Sequence, residues 1–209
     1  MKIEGEYLFN GPREEVWKIV RDPEVLAKAL PGGKSMKQIG ENEYEAEMNV
    51  HIGPVGGLFT GHLTVSDEVP PEKCTLTVKG KGGPGFANGT GRVVLFDQGD
   101  KTTSMKYEGE VQIGGKLASV GQRLLDTASK SMIRQGLETL NMALQARMAA
   151  GTGKEEVNYN PPSETKFMAA VAKDMAGEVL SSRVIWIAFV IVLILVILVA
   201  IWIRSSAGG

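Results

Sequence analysis

Two histidines, one cysteine and a row of glutamates are the first residues in this 209-residue chain to weigh for chemistry. A catalytic or metal-binding histidine needs a partner within reach and some shelter from water. His51 and His62 both fall on the polar phase of strand-like segments, beside Glu47 and Asn49 or Thr60 and Thr64, and read as solvated surface groups. Cys74 shares its phase with Leu76 and Val78 and reads as a small core residue, not a thiolate. Glu43, Glu45 and Glu47 form a carboxylate row on one strand face, which Glu108 and Glu110 would extend. Such a row could serve as a metal or docking surface, but alternation this regular points to a solvated face. No H-E-x-x-H, C-x-x-C or G-x-x-x-x-G-K-[ST] pattern occurs, so zinc and P-loop chemistry have no support. A net charge of -1 gives no basic field for nucleic acid.

With no catalytic set in view, the informative residues are apolar. Leu30, Tyr44, Met48, Phe59, Leu63, Leu95, Met105 and Tyr107, with Leu117, Gly121, Leu124, Ala128 and Met132 from a later helical stretch, are the candidate inward-facing set. They either fill a core or line an apolar binding space. Small residues such as Gly121 and Ala128 would permit close approach or leave a void, and methionines suit an adaptable lining.

The elements that position them follow from periodicity. Lys2 to Asn10 alternates as an opening strand, and two short helices follow, PREEVWKIVRD and PEVLAKAL, punctuated by Pro12, Asp22-Pro23 and Pro31-Gly32-Gly33. Period-two alternation resumes over Glu43 to Ile52, then through Phe59 to Val65, Cys74 to Lys79, Phe86 to Phe96 and Met105 to Ile113. The expected sheet has seven strands. After Gly114-Gly115 the period becomes helical, with Leu117, Val120, Gly121, Leu124, Ala128, Met132, Gly136, Leu140 and Leu144 as the stripe. A helix of about 30 residues, roughly 45 Å long, can cover a whole one-sided sheet. The expectation is an α+β domain over residues 1–149: a curved seven-stranded antiparallel sheet around a long C-terminal helix, with two short helices after the first strand. Glycine, 26 of 209 residues, is scattered through these strands, where it marks bulges, bends or close approaches.

Residues 150–166, with Gly-Thr-Gly and Pro161-Pro162, read as a flexible linker with a reach of roughly 20 Å. Residues 167–183 carry Phe167, Val171, Met175 and Val179 at helical spacing and read as a juxtamembrane helix. Residues 184–203, VIWIAFVIVLILVILVAIWI, hold no charge and match a bilayer core of about 30 Å. Trp186 and Trp202 lie near the ends of that run, and Arg183 and Arg204 flank it. The acidic N-terminal stretch is unlike a secretory leader, and the single cysteine suits a reducing compartment. The expected arrangement is a single-pass C-terminal anchor in the cytoplasmic membrane with the folded domain in the cytoplasm.

Several stretches resemble the CoxG family of carbon monoxide dehydrogenase subunits, within the START and Bet v 1-like helix-grip superfamily. They are DPEVLAKALPG at Asp22 to Gly32, GPVGGLFTG at Gly53 to Gly61, FANGTGRVVL at Phe86 to Leu95 and, most specifically, YEGEVQIGGKLASVGQRLLDTASK at Tyr107 to Lys130. The resemblance covers about residues 1 to 148. It implies association with a carbon monoxide dehydrogenase or a related molybdenum hydroxylase and its recruitment to the cytoplasmic membrane. It also implies an apolar cavity between sheet and helix, able to take a quinone (menaquinone or ubiquinone) or another membrane lipid and so link the enzyme to the respiratory chain. A recruitment adaptor with no ligand and an enzyme like the superfamily's polyketide cyclases are the alternatives.

Overall fold

The computed structural model describes residues 1–151; the expected linker, juxtamembrane helix and anchor lie outside them. The alternating opening residues form β1 (Lys2–Phe9). Two short helices follow, α1 (Arg13–Val20) and α2 (Pro23–Ala29). Pro12 precedes the first turn of α1, where a missing N–H costs nothing. Asp22 caps α2, its carboxylate accepting from the Glu24 and Val25 amides at 2.9 and 3.2 Å.

A meander then runs through β2 (Gly33–Gly40), β3 (Glu43–Ile52), β4 (Val55–Val69), β5 (Lys73–Gly82), β6 (Gly85–Asp97) and β7 (Thr103–Gly115). β1 returns beside β7, so the sheet order is β1-β7-β6-β5-β4-β3-β2, antiparallel throughout. The seven expected strands are present. β2 is the one that alternation did not show, because its Lys34, Lys37 and Gln38 break the period at a sheet edge.

The helical stretch differs from its expected form. Lys116–Val120 is a 3-10 turn, and α3 spans Gln122–Ala149, 28 residues or about 42 Å. Gly115 at φ 77 and Gly121 at φ 91 bracket the turn, in a region that costs a side chain strain. That requirement explains the glycine spacing of the GGKLASVG stretch. Gly121 therefore lies at the exposed start of α3 and not on its apolar stripe, and Leu117 reaches the core from the turn. The residues α3 buries are Leu125, Ala128, Ser131, Thr139, Leu140, Ala143 and Leu144.

α3 is fixed at its C-terminal end. The Asn10 amide donates to Asn141 Oδ1 at 3.0 Å, the Gln145 side-chain amide donates to the Asn10 carbonyl, and Arg147 pairs with Asp22. There Phe9, Val16, Ile19, Leu95, Met105 and Leu144 form one core cluster. A second cluster, at the other end of α3, joins Ile52, Phe59, Leu117, Leu125 and Ala128. A third holds Tyr44, Val65 and Cys74. Trp17 packs against both the first and the third.

Candidate functional site

The two end clusters leave the middle of the sheet's inner face between them, and the register shows what that face carries. Ala46 pairs with Gly61, Gly61 with Gly80, and Gly80 with Ala87. One row along, Val78 pairs with Gly89; in the next, Leu76 pairs with Gly91, and Gly91 with Gly109. The inner face thus carries a run of small residues, Ala46, Gly61, Gly80, Ala87, Gly89, Gly91 and Gly109, with Leu63, Leu76 and Val78 among them. Space is open at Gly61 and, but for one carbonyl, at Gly80. Among the described residues, a Cβ at Gly80 would meet only the Ala87 carbonyl, at 3.2 Å, and one at Gly61 nothing nearer than backbone atoms at 4.0 Å. Val78, on the same inward phase, is 41% exposed. The α3 backbone runs close to α1, α2, the 3-10 turn and β3, and stands further from β5, β6 and β7. α3 packs on the sheet through the two end clusters, and between them no side chain comes within 4 Å of a Cβ placed at Gly61 or Gly80.

The expected lining divides over this frame. Tyr44 and Leu63 belong to the third cluster; Phe59, Leu117 and Ala128 are buried in the second, with Met48 and Leu124 packed against it. Leu95 and Met105 lie deep in the first cluster, as an end wall. Leu30, at the end of α2, and Met132, on the middle turns of α3, are partly buried. Tyr107 lies over Gly5, its cross-strand partner, where a Cβ would come within 2.3 Å of the phenol oxygen. Burial pushes that phenol's pKa up. Gly136 faces the Ala29 carbonyl and admits α2, not a ligand.

One polar constellation went unseen in the sequence. Arg21, at the end of α1, donates to Asn42 Oδ1 at 2.7 Å, touches the Tyr44 hydroxyl at 3.5 Å and pairs with Glu68. Its parts come from a helix end, the β2–β3 turn and a slip in the β4–β5 ladder between Ser66 and Val69. No periodicity marks such positions. Cys74 lies nearby; burial pushes its thiol up, and the Arg21 charge works in the opposite sense.

On the outer face His51 and His62 are exposed, and His62 stands 3.8 Å from Glu45. The glutamate row is not a uniform acidic patch, because Lys37 pairs with Glu45 and Lys79 with His62. Glu108 and Glu110 do not extend it: they lie on β7, well away from β3 across the sheet. Among the described residues no three His, Cys, Asp or Glu side chains gather as a metal site.

A sheet wrapped on one long helix, with an open apolar floor between them, defines the START-like, helix-grip class. Solved structures bear this out. A conserved protein from Geobacillus kaustophilus is 33% identical, covers 70% of this chain and 97% of its own, and superposes with a TM-score of 0.68. A START superfamily protein from Mycobacterium smegmatis, 11% identical, covers 69% and 97% at a TM-score of 0.55. The ZhuI aromatase/cyclase of Streptomyces sp. R1128, 13% identical, covers 72% and 98% at 0.54. At those identities the last two share the fold alone. No curated protein matches the chain. The family model for the CoxG subunit of carbon monoxide dehydrogenase matches residues 5–145, and the chain belongs to that family. Membership points to an accessory or ligand-binding role beside carbon monoxide dehydrogenase.

Proposed function

We propose that this protein is a membrane-tethered accessory protein that brings a carbon monoxide dehydrogenase, or a related molybdenum hydroxylase, to the cytoplasmic membrane. It holds a quinone, menaquinone or ubiquinone, or another lipid-like molecule over the glycine floor. The observation that carries the ligand reading is the open space above Gly61 and Gly80, bounded by apolar clusters at both ends. Apolar spaces lined this way take apolar ligands, with a few polar groups to orient them. Tethering rests on residues 184–203, long and apolar enough to span a bilayer, although no helix of the described residues is. Electrons leave such an enzyme in water while quinones dissolve in lipid. A tethered carrier joins the two, and tethering raises its local concentration at both.

An adaptor without ligand would be expected to pack its interior shut, which the open floor opposes. An enzyme would need a free acid or base inside. The interior carboxylate of Glu68 is instead occupied by Arg21. Mass spectrometry of lipid extracted from the purified full chain, and from a chain ended after Ala149, tests the reading. A quinone recovered near stoichiometrically from the shorter chain supports carriage in the domain. Bulk lipid on the full chain with nothing on the shorter one removes the carrier and leaves the adaptor.

A further inference from the structure

Charge is not spread evenly over the sheet. Residues 48–66, 73–96 and 111–125 contain no aspartate or glutamate, although the chain holds 24 acidic residues in all. The fold brings parts of all three stretches together at one end. The β3–β4 and β5–β6 hairpins meet there, a Cβ at Gly57 falling 3.0 Å from the Pro84 ring. The Leu117 amide donates to the Pro84 carbonyl at 2.9 Å, which seats the 3-10 turn beside them. The opposite end carries acids: Glu41 in the β2–β3 turn, Asp67, Glu68 and Glu72 at the β4–β5 turn, and Asp97 and Asp100 at the β6–β7 turn.

Three cations and two large apolar side chains stand at the acid-free end. Lys79, Lys81 and Lys116 are exposed, and none of them makes an ion pair among the described residues. Leu58 is 46% exposed and Phe86 42%. On the outer face Lys81 pairs with Thr60 on one flank and Phe86 on the other, and Leu58 follows Thr60 on the same phase of β4. The Phe86 ring lies over Gly114, where a Cβ would come within 2.2 Å of it. The carboxylate on that row is Glu47, set beyond Thr60 on β3. A lone exposed leucine or phenylalanine needs no explanation. The two together, around a lysine with no carboxylate between them, match a surface that is anionic above and apolar beneath, as a bilayer is.

We propose that this hairpin end of the domain docks on an anionic bilayer, Lys79, Lys81 and Lys116 meeting lipid phosphates while Leu58 and Phe86 enter the boundary between headgroups and acyl chains. This rests on the reading that the chain works at a membrane, and it adds which face of the folded domain meets the lipid. Residues 150–183 can span at most roughly 110 Å, more than twice the roughly 42 Å of α3, so an anchor beyond them leaves this end free to reach the surface. The dock also bears on the interior. Gly80 lies between Lys79 and Lys81 on the other phase of β5, two residues from the strand's end, so the open space at Gly61 and Gly80 lies toward the lipid.

The test uses the chain ended after Ala149, which contains all three core clusters and corresponds to a Geobacillus kaustophilus protein matched over 97% of its own length, a domain that stands alone. Co-sedimentation with phosphatidylglycerol or phosphatidylcholine vesicles reads the contact, and a melting transition like the parent's shows each variant folded. Binding is expected to phosphatidylglycerol and to weaken as salt rises. Lys79→Gln, Lys81→Gln and Lys116→Gln together should cost about a hundredfold, near fivefold per lysine. Leu58→Ser with Phe86→Ser should cost about tenfold. Lys18→Gln, Lys101→Gln and Lys106→Gln together, the same change of net charge placed elsewhere, should cost about threefold or less. Equal losses from the two lysine sets, equal binding to the two lipids, or full binding by the Leu58 and Phe86 variant would overturn the dock. A folded short chain that binds neither vesicle would overturn it too and give the patch to an acidic protein, while a full chain that still resisted carbonate extraction would keep the tether.

Discussion

Asp22 joins three parts of the fold through one carboxylate: it caps α2, follows the end of α1 and pairs with Arg147 on α3. Burial pushes its pKa up, but the Arg147 hydrogen bond and the Val25 and Glu24 amides outweigh burial and hold it below the ordinary 3.8. A depressed carboxylate contributes stability that is full above its ordinary pKa and is lost as pH falls through the folded value. Asp22→Asn keeps a capping oxygen and loses the charge. It is expected to cost about 0.5–1 kcal/mol at pH 7, with the gap to the parent closing below about pH 3.8, as read by urea unfolding at several pH values. At the same scale, the thiol of Cys74 is buried and its pKa raised, so alkylation of the folded chain should be slow and become fast only on denaturation.

At the scale of elements, the strands were legible because one face is wet and the other dry: Glu43 to Ile52 alternates from end to end and forms β3. The glycines were visible as residues but not as a floor, since Gly61, Gly80, Gly89, Gly91 and Gly109 become neighbours only once the register is known. The start of α3 was misplaced because Leu117 and Val120 keep a helical spacing inside a 3-10 turn that two positive-φ glycines isolate. Arg21, Asn42 and Glu68 lay beyond reach, as a turn and a bulge position them instead of a period. The floor makes a prediction with two opposite signs. Gly61→Val adds strand propensity of about 1 kcal/mol, and its Cβ meets nothing nearer than 4.0 Å, so it should raise the melting temperature by about 2–4 °C. The same methyl groups occupy the ligand's space, and extracted quinone should fall at least about tenfold, a drop that loss of folding would not pair with added stability. Calorimetry and lipid extraction on one preparation read both.

At the scale of the molecule, a domain with its own core is followed in the sequence by an apolar run, residues 184–203. The full chain is expected in the membrane fraction and to resist carbonate extraction, whereas a chain ended after Ala149 should appear in the supernatant. The split has an optical consequence. Of three tryptophans, two belong to the apolar run, and the shorter chain keeps only Trp17, wedged between the first core cluster and the Tyr44 cluster. Its emission would therefore come from a single indole packed against two core clusters of the domain. A quinone, being an electron acceptor, should quench that emission on entry, while a saturated hydrocarbon in the same space should leave it bright. The domain thus carries its own lamp for occupancy, readable by titration without a label.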